Sequence, residues 1–134
     1  MTRASGGVDQ TFAKCYRLTK TDEFSSVFGF RKAIRGKLLM LHYQPRAIGE
    51  THARLGLVVG KKLLKRAVDR NRCKRVLREQ FRLCRAGLPV CDLVVRLAAK
   101  PEKSAGKLDV STLVEDFLAL LAKLRRFAGP LETT

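Results

Sequence analysis

Between Ala67 and Arg85 apolar side chains return at steps of three, one, four and three residues, at Cys73, Val76, Leu77, Phe81 and Cys84. That spacing is one stripe of a helix turning 100° per residue. Asn71, Lys74, Arg75, Arg78, Arg82 and Arg85 fall together on a narrow arc away from the stripe. Gly87, Leu88 and Pro89 close the pattern, with glycine just past the helix end and proline beyond it.

The other periodic stretches are shorter. Leu18 to Phe30 carries Thr19-Lys20-Thr21-Asp22, a capping signature, and then sets Phe24, Val27 and Phe28 on one face, which predicts a short first helix ending near Gly29. Arg31 to Gly36 reads as a basic connector. Lys37 to Gln44 and Ala53 to Gly60 have strand length and flank a turn containing Gly49, so a hairpin is the simplest arrangement. Leu38 to Leu41 is apolar at every position, which predicts cover on both faces of that strand.

Val90 to Leu97 reads as a further strand and Lys100 to Lys107 as a surface loop. Asp109 is the expected N-cap of a last helix with Leu113, Val114, Phe117, Leu118, Leu121 and Leu124 inward, stopping before Gly129-Pro130. The order helix, two or three strands, basic helix, strand, helix predicts an α+β fold, a two-layer sandwich of helices on a sheet. Residues 1–14 read as a flexible arm, 15–128 as one domain and 129–134 as a tail.

Charge changes the picture more than hydropathy does. The chain carries 28 Lys and Arg against 12 acids, a formal net charge of +16. Eleven of those cations lie between Lys61 and Arg85, with only Asp69 and Glu79 among them. Like charges at helical i,i+4 spacing repel by a few tenths of a kcal/mol per pair, so the arc calls for an anionic partner. A membrane is a poor candidate. The longest apolar run, Phe117 to Ala122, is too short to span, and tryptophan is absent. The first fifteen residues hold no apolar core of a signal peptide, which predicts a cytoplasmic protein. Cys15, Cys73, Cys84 and Cys91 form no Cys-x-x-Cys pair, so reduced thiols lining the core are expected in place of zinc or disulfides.

Catalytic patterns are missing. The acids are scattered, His42 and His52 carry no signature of a pair, and neither a phosphate-cradling glycine loop nor a nucleophile motif occurs. The chain is expected to bind a polyanion and catalyse nothing with its own side chains. A strand in place of a short helix precedes the basic segment, which argues against a helix-turn-helix reader of DNA. Aromatic side chains accompany the cations, which favours RNA.

Lys61-Lys62, Ala67-Val68, Arg70-Asn71-Arg72, Lys74-Arg75, Arg78-Glu79 and Phe81-Arg82 together closely resemble the signature of the bacterial ribonuclease P protein family. Leu18, Phe24 and Phe28, Arg54-Leu55-Gly56 and Asp92-Leu93-Val94-Val95 agree on its flanks, so the resemblance covers about Leu18 to Leu124. It implies a ribosomal-protein-like α-β-β-β-α-β-α domain whose basic helix sits in a left-handed βαβ crossover. It also implies a non-catalytic subunit. The enzyme would be a large RNA that uses Mg²⁺ to remove the 5′ leader from precursor tRNA.

On that resemblance Arg70, Asn71, Arg72, Lys74, Arg75 and Arg78 would contact ribonuclease P RNA, and Arg54, Lys61, Lys62, Lys65, Arg66 and Arg82 would extend the surface. Phe24, Phe28 and His42 would line a cleft for the single-stranded leader of precursor tRNA. Neither DNA nor a membrane is an expected partner, and no organic cofactor is implied. The chain departs from the family pattern at two places. Some relatives have an aromatic where this chain has His42, and the glycine usual after the first helix is displaced, leaving Arg31 near its place. The alternative reading is a ribosomal-type or RNA-chaperone protein with no part in tRNA processing.

Overall fold

The computed structural model describes residues 16–101, 103–104 and 107–133; the arm expected over 1–14 lies outside them. Helix α1 (Thr21–Phe30) leads into strands β1 (Lys32–Arg35), β2 (Leu39–Pro45) and β3 (Arg54–Val58). The basic helix α2 (Ala67–Cys84) and a 3₁₀ turn (Arg85–Gly87) follow, then β4 (Cys91–Leu97). A small hairpin of β5 (Lys103–Ser104) and β6 (Lys107–Leu108) precedes the last helix, α3 (Val110–Thr133). The main sheet has the order β1-β2-β4-β3.

Two strand expectations change. Arg31 to Gly36 is not a connector: most of it is β1, antiparallel to β2, with Ile34 opposite Leu41 and Arg35 opposite Met40. The expected β2–β3 hairpin does not form either. Strand β4 enters between them, antiparallel to β2 and parallel to β3. The nearly continuous apolar run of β4 explains this, since five of its first five residues are buried and such a strand is stable only with neighbours on both edges. The stretch expected as a loop over Lys100 to Lys107 contains the β5–β6 hairpin.

The two faces of the sheet are covered unequally. Ile34, Leu39, Leu41, Leu55, Leu93, Val95 and Leu97 point to one side and pack with Cys73, Leu77 and Phe81 of α2 and Leu113, Phe117, Leu120, Leu121 and Leu124 of α3. On the other side a smaller cluster of Leu18, Val27 and Val94, with Phe24 against it, seats α1. Strand β2 therefore alternates, Leu39 and Leu41 being fully buried and Met40 and His42 only half-buried. At ten residues α1 spans about 15 Å, too little to roof the whole face.

Local details refine the helix ends. The first cap is one residue later than Thr19-Lys20-Thr21-Asp22 implies: the Glu23 carboxylate accepts the Thr19 and Lys20 backbone N–H groups at 3.0 and 3.1 Å. Partial burial pushes the Glu23 pKa up, but those two backbone bonds and the Arg54 charge outweigh it and hold the carboxyl below its ordinary value. Helix α1 runs past Gly29 to Phe30 and ends on Arg31, whose φ of 63° and ψ of 28° are left-handed.

Asp109 caps α3 as expected, accepting the Ser111 N–H at 3.0 Å. Within α3, Leu118, expected inward, is 38% exposed, and Leu120, not among the residues expected inward, is buried. Leu118 lies 100° round from Phe117, outside the stripe of 113, 117, 120, 121 and 124. The helix also continues through Gly129-Pro130 to Thr133. That pair lowers helix propensity and removes one backbone bond, which is a local cost and not an obligatory stop.

Candidate nucleic-acid interface

Helix α2 is held by one row, Asp69, Cys73, Leu77 and Phe81, each four residues from the last and all buried. The row fixes which cations face out. Lys61, Lys62, Lys65, Arg66, Asn71, Arg72 and Arg75 are exposed, while Arg70, Lys74 and Arg78 are half-buried on its flanks. Arg70 is turned back to the loop before the helix, where its Nη1 donates to the carbonyls of Leu64 and Lys65 at 2.9 Å each. It thereby ties the loop bearing Lys61, Lys62 and Lys65 to the helix. Among the described residues no carboxylate lies within ion-pair reach of Arg72, Lys74, Arg75 or Arg78.

Two residues grouped with this surface are engaged internally. Glu79 takes Arg82 in a two-pronged pair, with the Arg82 Nε donating to Oε1 at 3.0 Å, so one cation of the arc is answered by an acid beside it. Arg54 belongs to a different site. Its Nε and Nη2 donate to the two Asp92 carboxylate oxygens at 2.8 Å each, and its Nη1 to Glu23 at 3.0 Å. Arg46 approaches the same Asp92 at 3.5 Å and pairs with Glu50 at 2.8 Å. Arg54 therefore joins β3, β4 and α1; its planar fork is filled by carboxylates.

The fold adds a cation that no pattern marks. Residues Tyr16 to Leu18 lie along the β3 edge, with the Leu18 N–H donating to Leu55 O at 2.9 Å and the Leu55 N–H to Tyr16 O at 2.7 Å. This brings Arg17 beside Arg78. Burial first, and then the Arg17 charge, lowers the Arg78 pKa. Arg85 lies over the Tyr16 ring at 4.1 Å, and Tyr16 meets His52 edge-on at 4.4 Å. Nothing in the local sequence around Arg17 signals this. The segment is placed by two long-range backbone bonds.

The opposite sheet face holds Phe24, Phe28 and His42. Phe24 turns inward over Gly56, where a Cβ would lie 2.6 Å from its ring. Phe28, one turn later, is 37% exposed and meets His42 edge to face, with centroids 4.7 Å apart. Ser26 Oγ donates to Gln44 Oε1 at 2.8 Å and ties the middle of the helix to β2. Burial first, and then the Arg96 charge, lowers the His42 pKa below its ordinary 6.5. Half-exposed Met40, His42 and Arg96 thus form the floor of an open cleft beside α1, with Phe28 as wall and Val58, 38% exposed, at the rim.

Among the described residues no group of three or more His, Cys, Asp or Glu could hold a metal ion. Two of the buried acids are engaged by named partners: Asp92 by arginines, and Asp116 by the backbone N–H groups of Lys37, Leu38 and Leu39 at 2.9, 2.9 and 2.8 Å. Burial pushes the Cys73 thiol up to about 11, leaving it a core side chain at neutral pH. Among the described residues no helix is long and apolar enough to cross a membrane. The arrangement presents a cationic helix on one side of the sheet and an aromatic cleft on the other.

Known proteins are similar to this chain in sequence and fold. The family model described as Ribonuclease P matches residues 12–125. The ribonuclease P protein component of Azoarcus sp. strain BH72 is 52% identical over 118 residues, covering 88% of this chain and 93% of its own. That of Chromobacterium violaceum is 43% identical over 114 residues, covering 85% and 92%. Among solved structures, the RNase P protein from Thermotoga maritima superimposes with a TM-score of 0.68 at 30% identity, over 80% of this chain and 96% of that one. The Staphylococcus aureus RNase P protein, at 24% identity and a TM-score of 0.70, shares the fold over 81% and 96%. With the match spanning sheet, basic helix and cleft alike, the chain belongs to the ribonuclease P protein component family.

Proposed function

We propose that this protein is the RNA-docking and leader-guiding subunit of a ribonuclease P, acting in the cytoplasm on precursor tRNA. The exposed face of α2, with Arg72 and Arg75, and the loop before it, with Lys61, Lys62, Lys65 and Arg66, bind the catalytic RNA. Lys74, Arg78 and Arg17 continue that surface onto the N-terminal segment. The cleft beside α1 receives the single-stranded 5′ leader against Phe28 and His42. The phosphodiester is cleaved by the RNA with its own Mg²⁺, for which the described residues of this chain hold no ligand cluster. The single observation that carries the reading is the division of the fold: unpaired cations on α2, and a half-exposed aromatic pair, Phe28 and His42, on the other face. A surface that docks and a cleft that guides can then be occupied together.

The decisive assay mixes purified protein with bacterial ribonuclease P RNA and 5′-extended precursor tRNA at low Mg²⁺. Stimulated removal of the leader is expected. Absence of stimulation sinks the reading and leaves a general RNA-binding or chaperone role, while cleavage by the protein alone overturns the assignment of chemistry to the RNA.

A further inference from the structure

The arginines that leave solvent on the α1 side of the sheet do not share one fate. Arg46 and Arg54 each reach carboxylates, Glu50 and Asp92 for the first, Asp92 and Glu23 for the second. Arg96, also partly buried, reaches only neutral acceptors: its Nε donates to His42 Nε2 at 3.3 Å and its Nη2 approaches Met40 Sδ at 3.4 Å. No described carboxylate is within ion-pair distance of it. A guanidinium that has shed part of its hydration against a long imidazole contact and a thioether keeps most of its charge unanswered.

Its position follows from the strand register. Arg96 stands opposite Met40 on β2 and Val58 on β3, two residues along β4 from Val94, which packs under α1. The cation is therefore on the floor of the cleft, and one imidazole separates it from the Phe28 ring. His42 touches Phe28 with its ring edge and accepts from Arg96 through Nε2. Burial and the neighbouring guanidinium disfavour a charged imidazole, and the Nε2 contact orients the guanidinium.

We propose that Arg96 holds a phosphate: its guanidinium pairs with one phosphodiester of the RNA strand whose neighbouring base lies against Phe28. The inference rests on the reading of the cleft as the leader site. It adds the means of grip, a fixed cation under the backbone beside an aromatic wall. Because the pairing is to phosphate, it is indifferent to leader sequence.

The test uses the holoenzyme reconstituted with ribonuclease P RNA. Arg96→Gln is expected to weaken binding of leader-bearing precursor tRNA about tenfold, the worth of one hydrogen-bonded charge, without changing affinity for mature tRNA. The slope of log affinity against log salt is expected to fall by about 0.7, the value for one phosphate of a single strand. Arg96→Lys retains the slope. Equal losses on precursor and mature tRNA, or an unchanged slope, overturn the proposal.

A second measurement needs no variant. Methylphosphonate is placed at successive leader linkages against the unaltered protein, and one linkage is expected to account for the loss. A flat profile, or dependence on the base in place of the linkage, overturns it. If the unaltered holoenzyme holds precursor no tighter than mature tRNA, the leader-site reading itself fails, a result distinct from a failure at Arg96.

Discussion

Phe28 and His42 meet edge to face with ring centroids 4.7 Å apart and planes at 76°, across the cleft between α1 and β2. Phe28 is 37% exposed, so its outer face is available to a base. Stacking on an aromatic is worth about 1–3 kcal/mol per base, and Phe28→Ala is expected to weaken precursor tRNA by that amount while mature tRNA is spared. Equal losses in filter binding of both RNAs would reduce Phe28 to packing.

The same pair carries a pH dependence. The folded His42 pKa lies below the ordinary 6.5, so between the two values the unfolded chain binds more protons. Its contribution to stability is whole above 6.5 and is lost as pH falls through the folded value. In an NMR titration the His42 midpoint should lie below 6.5 and move up in Arg96→Gln, which removes a neighbouring charge. A midpoint indifferent to that substitution would contradict the Arg96–His42 contact.

Arg75 and Arg54 should separate function from stability. Arg75→Ala removes an exposed cation and is expected to lower the salt slope of RNA binding by about one, with the denaturation midpoint unchanged. Arg54→Ala strips the nearly buried Asp92 of its two-pronged partner and should cost roughly 2 kcal/mol or more in urea unfolding. A salt-slope change in the Arg54 variant comparable to that of Arg75 would place Arg54 on the RNA surface after all.

Gly56 is required by Phe24. A Cβ there would lie 2.6 Å from the Phe24 ring and 3.2 Å from Leu18, so Gly56→Ala is expected to destabilise the fold by about 1–3 kcal/mol. Phe24→Leu in the same chain should recover part of that loss, and a purely additive double variant would show that the ring moves aside freely.

Asp116 accepts three consecutive backbone N–H groups from the β1–β2 turn, and Gly36 leaves room for its carboxylate. Asp116→Ala leaves those donors without their acceptor and should cost about 3 kcal/mol or more in thermal or urea unfolding. Hydrogen exchange should quicken at residues 37–39 first.

Arg31 occupies the left-handed position that ends α1, at φ 63°. That conformation costs a side-chain-bearing residue about 1–2 kcal/mol, partly offset in glycine by its greater unfolded-state freedom. Arg31→Gly is accordingly expected to stabilise the protein by up to about 1 kcal/mol, and any loss of stability would mean that the arginine side chain makes a compensating contact.

The chain itself determined a good deal. The row from Cys73 to Cys84 and the apolar strands set the α+β class and the element order, because helical and strand periodicities are local properties of side-chain spacing. The one-sided charge of Lys61 to Arg85 and its spaced motif were enough to point to an RNA partner and a family. Tertiary structure decided what lies far apart in sequence. The insertion of β4 between β2 and β3 depends on its apolar run finding two neighbours. Only pairing across the fold converts Arg54 into an internal strut and sets Arg17 beside Arg78. The same alternation that buries Val95 turns Arg96 to the opposite face, where the register with Met40 and His42, and no local pattern, puts its charge beneath Phe28.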